Sequence, residues 1–159
     1  MRKIELTAFD LAQRFVGLRE EPGARANPRI LAMLKLDGDW PQDDETAWCS
    51  AFVNEICWLL RLPRSKKLNA RSWLGVGRAI GLAAAEPGFD VVVLSRGPLP
   101  QPGPSVTLAP GHVGFFAGRD NFGSAPAGQV LLLGGNQGDA VSIAAFPIER
   151  VLGVRRLYE

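Results

Sequence analysis

Over the first sixty residues apolar side chains recur every three or four positions, whereas beyond residue 88 they alternate or run together. Leu6, Phe9, Ala12, Val16 and Leu18 draw one helical stripe that ends in "GLREEPG". "PRILAMLKL" (28–36) predicts a second short helix with proline in its first turn. An acidic loop, "DGDWPQDDE", leads into a third helix over about 47–60, which stops before Pro63. "ARSWLGVGRAIGLA" (70–83) predicts a fourth helix, weakened by three internal glycines. The period then changes. "FDVVVLSR" (89–96), "GHVGFFAG" (111–118) and "QVLLLGGN" (129–136) read as strands, and "AVSIAAF" and "VLGVRRLY" follow as two more. Helices first and strands second predict an α+β fold, with N-terminal helices packed on an antiparallel sheet of about five to six strands. The chain has 159 residues and no internal repeat, so one domain over 1–159 is expected.

Composition narrows the partners. The charged fraction is 21% and the net charge +2, with one basic run, "RLPRSKKLNAR", that reads as a solvated loop. This mild basicity suits an anionic polymer, and it lacks the Lys/Arg clusters that would argue for nucleic acid. Glu5, Asp10 and Gln13 interrupt any signal-peptide core, and no apolar run approaches membrane-spanning length. Synthesis in the cytoplasm without a signal peptide is therefore expected, with no membrane insertion and a monomeric state.

The chemistry centres on "DDETAWCSAFVNEICWLL" (43–60), which holds both cysteines. Eight residues apart on one helix, Cys49 and Cys57 lie about 12 Å apart along its axis, too far for a disulfide. With Thr46 as N-cap, Cys49 falls in the first turn, where unpaired N–H groups and the helix dipole favour a thiolate. Cys57 gains nothing from the dipole and reads as packing. Asp43, Asp44 and Glu45 would oppose the thiolate if they lay near the sulfur. Cys49 also begins the stripe Phe52, Val53, Ile56 and Leu60, so a core thiol and a nucleophile are both open readings.

A cysteine nucleophile needs a base and a group to orient that base. The chain has one histidine, His112. It shares a strand face with Gly114 and Phe116, while Val113 and Phe115 point the other way. Glycines 111 and 114 leave space beside the imidazole, and a structural histidine is the alternative. Asn136, at the end of an apolar strand, is placed to orient the ring, with Gln137 a second choice and a plain hairpin turn, "GGNQGD", the rival reading. Trp48 and Trp73 are candidates for lining a substrate cleft, or else core. One histidine and two distant cysteines cannot supply a closed metal site, so no metal and no cofactor are expected.

Taken together, "WCSAFVN" at a helix start, "GHVGFF" on a strand and "LLLGGNQ" on the next resemble the papain-like bacterial cell-wall cysteine hydrolases of the CHAP and NlpC types, which include many phage endolysins. "FVGLREEPGARANPRILAML", "ARSWLGVG" and "PGFDVVVL" extend the resemblance over about residues 6–157. It implies a papain-like fold, with Cys49 as nucleophile, His112 as general base and acid, and Asn136 as the orienting residue. The backbone N–H of Cys49 would help hold a tetrahedral oxyanion. The implied partner is bacterial peptidoglycan, and the implied reaction is cleavage of a muramoyl–L-alanine or stem-peptide amide through a thioacyl-enzyme. The enzyme would act in the periplasm or wall after release by a holin or a secretion system. Two other functions keep the same residues: acyl transfer by the Cys–His pair, and a non-catalytic wall-binding or virion structural module.

Overall fold

The structure, a computed structural model, describes residues 3–23, 26–39, 41, 47–119 and 127–159. Among the described residues three α-helices come first: α1 (Ala8–Gln13), α2 (Pro28–Leu34) and α3 (Cys49–Leu59). Local chemistry sets their starts. Thr7 and Asp10 form a reciprocal capping box on α1, with Oγ1 of Thr7 accepting from the Asp10 N–H and Asp10 Oδ2 accepting from the Thr7 N–H. Those bonds from Thr7 hold the Asp10 carboxyl below its ordinary range. Asn27 caps α2 by accepting from the Arg29 N–H at 2.9 Å, and Pro28 occupies the first helical position.

Helix α3 starts without such help: Trp48 is its N-cap and offers no side-chain hydrogen bond. Thr46, the expected cap, and the acidic run Asp43, Asp44 and Glu45 lie outside the described residues. Every residue from Cys49 to Cys57 is buried, so α3 is a core helix surrounded on all sides. Its polar residues are therefore bonded. Ser50 Oγ donates to Lys67 O at 2.6 Å and accepts from Trp73 Nε1 at 2.9 Å. Asn54 donates to Lys67 O at 3.2 Å and accepts from the Lys66 N–H at 3.0 Å. Ser50 and Asn54, one turn apart, thus pin the 65–67 loop against the helix.

Six strands follow: β1 (Arg78–Ile80), β2 (Asp90–Ser95), β3 (Gly111–Arg119), β4 (Gln129–Gly134), β5 (Ser142–Pro147) and β6 (Val151–Arg156). They form one sheet in the order β1-β6-β2-β3-β4-β5, each neighbouring pair antiparallel. Val91, Val93, Val113, Phe115 and Leu133 face the helices and join Phe52, Val53 and Ile56 in the main core. Val92, Leu94, Phe116, Val130, Leu132 and Val154 form a smaller cluster on the opposite face. Strand β2 is buried on both faces, which accounts for its unbroken "DVVVL" run.

The predicted fourth helix over 70–83 is a correction. A 3-10 turn, Ala70–Gly75, gives way to strand β1. Gly77 turns the chain with φ +66°, and a Cβ there would collide with the Arg156 carbonyl, so no helix continues. Gly77→Ala is accordingly expected to destabilise the fold by about 2 kcal/mol or more in urea titrations, chiefly through this collision and the left-handed backbone.

Candidate active site

The start of β3 brings the candidate residues together. Pairing of β3 with β4 begins only at Phe115↔Leu133, so residues 111–114 have no β4 partner in the ladder. Into this opening comes the N-terminus of α3. The Val113 N–H donates to the Cys49 sulfur, and the N–H groups of Ser50 and of Cys49 itself also bear on it. Gly135 makes the approach possible, since a Cβ there would lie 2.6 Å from the Trp48 ring and 2.8 Å from Phe52 Cβ.

From the residue before Val113, the imidazole of His112 rises on the other face, opposite Leu94 in register and with its ring 5.2 Å from that of Phe146. The expected alternation along β3 is the observed one: Val113 and Phe115 lie in the helix-side core, and Phe116 lies in the opposite cluster. Nε2 of His112 is 2.9 Å from Gln137 Oε1. The Gln137 amide nitrogen donates to Leu132 O at 3.1 Å and Ser142 O at 2.7 Å, which leaves only its oxygen to face the ring. The hydrogen-bond network therefore puts the imidazole proton on Nε2 and the free lone pair on Nδ1.

The residue that holds the imidazole is thus Gln137, not Asn136. Asn136 has φ +58° and forms the left-handed step of the β4–β5 turn, together with Gly138 and Asp139. That step turns the Gln137 side chain back onto the His112 ring, and Asn136 and Gln137 both line the cleft. Trp48 and Trp73 also need correction: both are fully buried and neither lines the cleft. The Trp48 indole donates to Glu20 Oε1 at 2.7 Å, and that of Trp73 to Ser50 Oγ. They brace the start of α3.

The cleft holds about 680 Å³ and is bordered by Leu94, Arg96, His112, Asn136, Phe146 and Arg150, among others. Cys49 is 2% exposed and is not part of its lining. No hydrogen bond joins thiol to imidazole among the described residues. The two groups meet instead through one peptide, the sulfur on the Val113 N–H and the ring on the residue before it.

Burial governs the ionisation of both groups. It pushes the Cys49 thiol up, against the N–H groups of Val113 and Ser50 and the charge of Arg96, which act the other way. The helix start does favour a thiolate, as expected, yet desolvation outweighs it. Burial also takes His112 down to about 4; the Gln137 bond opposes this and Arg96 adds to it. At neutral pH the resting site is a neutral thiol beside a neutral imidazole. Cys57, buried in the core, is pushed up to about 12.

A histidine whose pKa falls from 6.5 to about 4 on folding binds fewer protons folded than unfolded across that window. Stability therefore declines as pH drops from about 6.5 toward 4, and this contribution levels off below. Between about pH 7 and pH 4.5, wild type should lose about 2–3 kcal/mol more than His112→Leu in denaturant titrations. Equal losses in the two proteins would contradict the buried, neutral assignment.

Two arginines have roles at the site that the linear pattern does not signal. Arg71, fully buried, donates to the carbonyls of Pro110, Pro102, Gly103 and Val106 and so ties the Pro-rich loop to the residues just before His112. Arg96 stands at the cleft, close enough for its charge to act on both Cys49 and His112. Only the position of Arg71 inside the largely apolar "ARSWLG" hints at burial. Among the described residues no cluster of three metal-ligating side chains occurs, and no helix is long and apolar enough to cross a membrane.

No protein-family model matches this chain, and no curated protein matches it in sequence. Its three-dimensional arrangement is similar to that of NlpC1 from Trichomonas vaginalis, with a TM-score of 0.56 at 15% identity over 99% of this chain. The fold is papain-like, of the NlpC type. The chain spans 47% of that neighbour, about half its length. At this identity the likeness establishes architecture, and the α+β fold expected from the strand and helix pattern is the one observed.

Proposed function

We propose that the protein is a cysteine amidohydrolase of bacterial peptidoglycan. The observation that carries this reading is the placement of the chain's one histidine. Within an NlpC-type fold, Gln137 fixes its Nε2 proton, and the peptide after it holds the Cys49 sulfur at a helix start. This supports a Cys49–His112–Gln137 triad in place of the expected Cys49–His112–Asn136.

In this mechanism His112 Nδ1 takes the thiol proton as Cys49 attacks the scissile carbonyl. The resting pair is uncharged, so the proton moves during attack and no thiolate–imidazolium pair stands beforehand. The backbone N–H groups of Cys49 and Ser50, which already bear on the sulfur, stabilise the oxyanion. His112 then protonates the leaving amine, leaving a thioacyl-enzyme. Water attacks that ester as His112 takes its proton, which frees the acid and restores the thiol. The chemistry uses no metal or cofactor. The bond is the muramoyl–L-alanine amide, one within the stem peptide, or one in a cross-bridge. A phage or prophage lysis enzyme released by a holin is the setting we propose, with a secretion-system effector or a tail-associated hydrolase as the variants. Digesting purified peptidoglycan and identifying the released muropeptides by mass spectrometry tests the activity and locates the bond.

One observation favours a second reading, a non-catalytic wall-binding module: Cys49 is buried and does not line the cleft. Iodoacetamide separates the two. On the hydrolase reading, Cys49 is alkylated in the folded protein well before Cys57, and substrate fragments change its rate. Equal inertness of both thiols, together with no turnover, supports the binding module.

A further inference from the structure

Among the described residues, the cleft beside His112 is lined by two arginines and no acid. Arg96 and Arg150 both border it, and no aspartate or glutamate does so among the described residues. Arg96 follows directly on β2, is exposed, and makes no ion pair among the described residues. Arg150 closes the turn before β6 and donates through Nη1 to Gly97 O at 2.9 Å. That bond ties the segment carrying Arg96 to the β5–β6 connection, and both arginines line the same cleft. Among the described residues, most of Arg150's donors remain available after this single bond, and all of those of Arg96 do.

An unpaired guanidinium at the rim of a concave, half-apolar site presents a fork of donors that matches a carboxylate. The cleft also offers apolar surface from Leu94, Ala144 and Phe146. The arrangement suits a short peptide bearing a free carboxylate, laid with its aliphatic part on Phe146. Arg96 shares the cleft with His112, and its charge acts on both His112 and Cys49, so an anion seated on it shares the cleft with the imidazole.

We propose that Arg96, with Arg150 beside it, is a specificity-determining residue that binds a free carboxylate of the stem peptide adjacent to the scissile amide. This rests on the reading of the cleft as a peptidoglycan hydrolase site and names the chemistry it selects. Wall in which that carboxylate is amidated would then be a poor substrate, because a neutral carboxamide cannot neutralise the paired arginines.

The test uses two synthetic stem peptides identical except for a free α-carboxylate or a carboxamide on the glutamyl residue. Binding to Cys49→Ser is measured by calorimetry, and kcat/KM is measured on the active protein. The carboxylate peptide should bind about tenfold more tightly and turn over with a matching preference, as expected for one charge-assisted contact. In Arg96→Ala that preference should collapse toward unity, in Arg96→Lys it should survive in part, and in Arg96→Glu it should reverse. Circular dichroism confirms folding of each variant, since Arg96 is exposed and packs no core. Equal binding of the two peptides, or a preference that persists in Arg96→Ala, overturns the proposal. Because binding is read on an inactive protein, these outcomes stand apart from the hydrolase reading. A carboxylate preference in binding with no turnover by the active protein would refute hydrolysis and keep the Arg96 site.

Discussion

Cys49→Ser is expected to lower the release of fragments from purified peptidoglycan by roughly ten-thousand-fold or more, while Cys57→Ser keeps most of the activity. The two thiols share one helix and similar burial, so neither burial nor packing volume alone would separate them. Their surroundings do. Cys49 accepts from the Val113 N–H and sits among the first N–H groups of α3, whereas Cys57 is buried two turns on with its thiol pushed up to about 12. Serine at 49 would keep the shape of the site but present a hydroxyl that a neutral imidazole deprotonates poorly. Comparable losses in both variants would point to a folding defect and remove the distinction between the two thiols.

His112→Ala should produce a loss on the same scale, and the residue behind it should reveal itself through pH. Gln137 fixes His112 in the tautomer with the Nδ1 lone pair free, so Gln137→Ala should reduce kcat more than Asn136→Ala does. Gln137→Glu is the more telling change. A carboxylate at that place favours imidazolium and raises the His112 pKa, so the acid limb of the pH–activity profile should move upward from near pH 4. A general loss of packing would lower activity at every pH without moving that limb. An unmoved limb would therefore assign Gln137 to structure alone.

The periodicity of the chain conveyed much of this. The apolar stripe over 47–60 and the alternation in "GHVGFFAG" placed α3 and β3 within a residue or two of their observed bounds, because core burial enforces both patterns. What escaped the sequence were features decided by tertiary contact. Residues 70–83 read as a helix weakened by glycines, yet Gly77 lies against the Arg156 carbonyl of a strand much later in the chain. The choice between Asn136 and Gln137 hung on left-handed steps at 136 and 139, and no period of two predicts which side chain such a turn returns to the imidazole. The linear pattern leaves Trp48 and Trp73 as cleft candidates or core, and the bonds of their indoles to Glu20 and Ser50 place them in the core.

The thiol shows the same division between local and global effects. The helix start was legible, and the N–H groups it supplies do favour a thiolate. The opposing cost of burial depends on β3 and β4 parting at Phe115↔Leu133 to admit Cys49, which a linear pattern does not reveal. Charge was similarly hidden. A net +2 spread over 159 residues looks unremarkable, but two of the arginines converge on one cleft that has no acid among its described lining.

The most direct test of hydrolysis through Cys49 is digestion of purified peptidoglycan in heavy-oxygen water, read by mass spectrometry of the released fragments. Wild type should release fragments carrying one heavy oxygen in the newly formed carboxyl group, and Cys49→Ser should release none above background. Fragments without the heavy oxygen but joined to an added amine would indicate acyl transfer, and release undiminished in Cys49→Ser, or no release by wild type, would contradict the account.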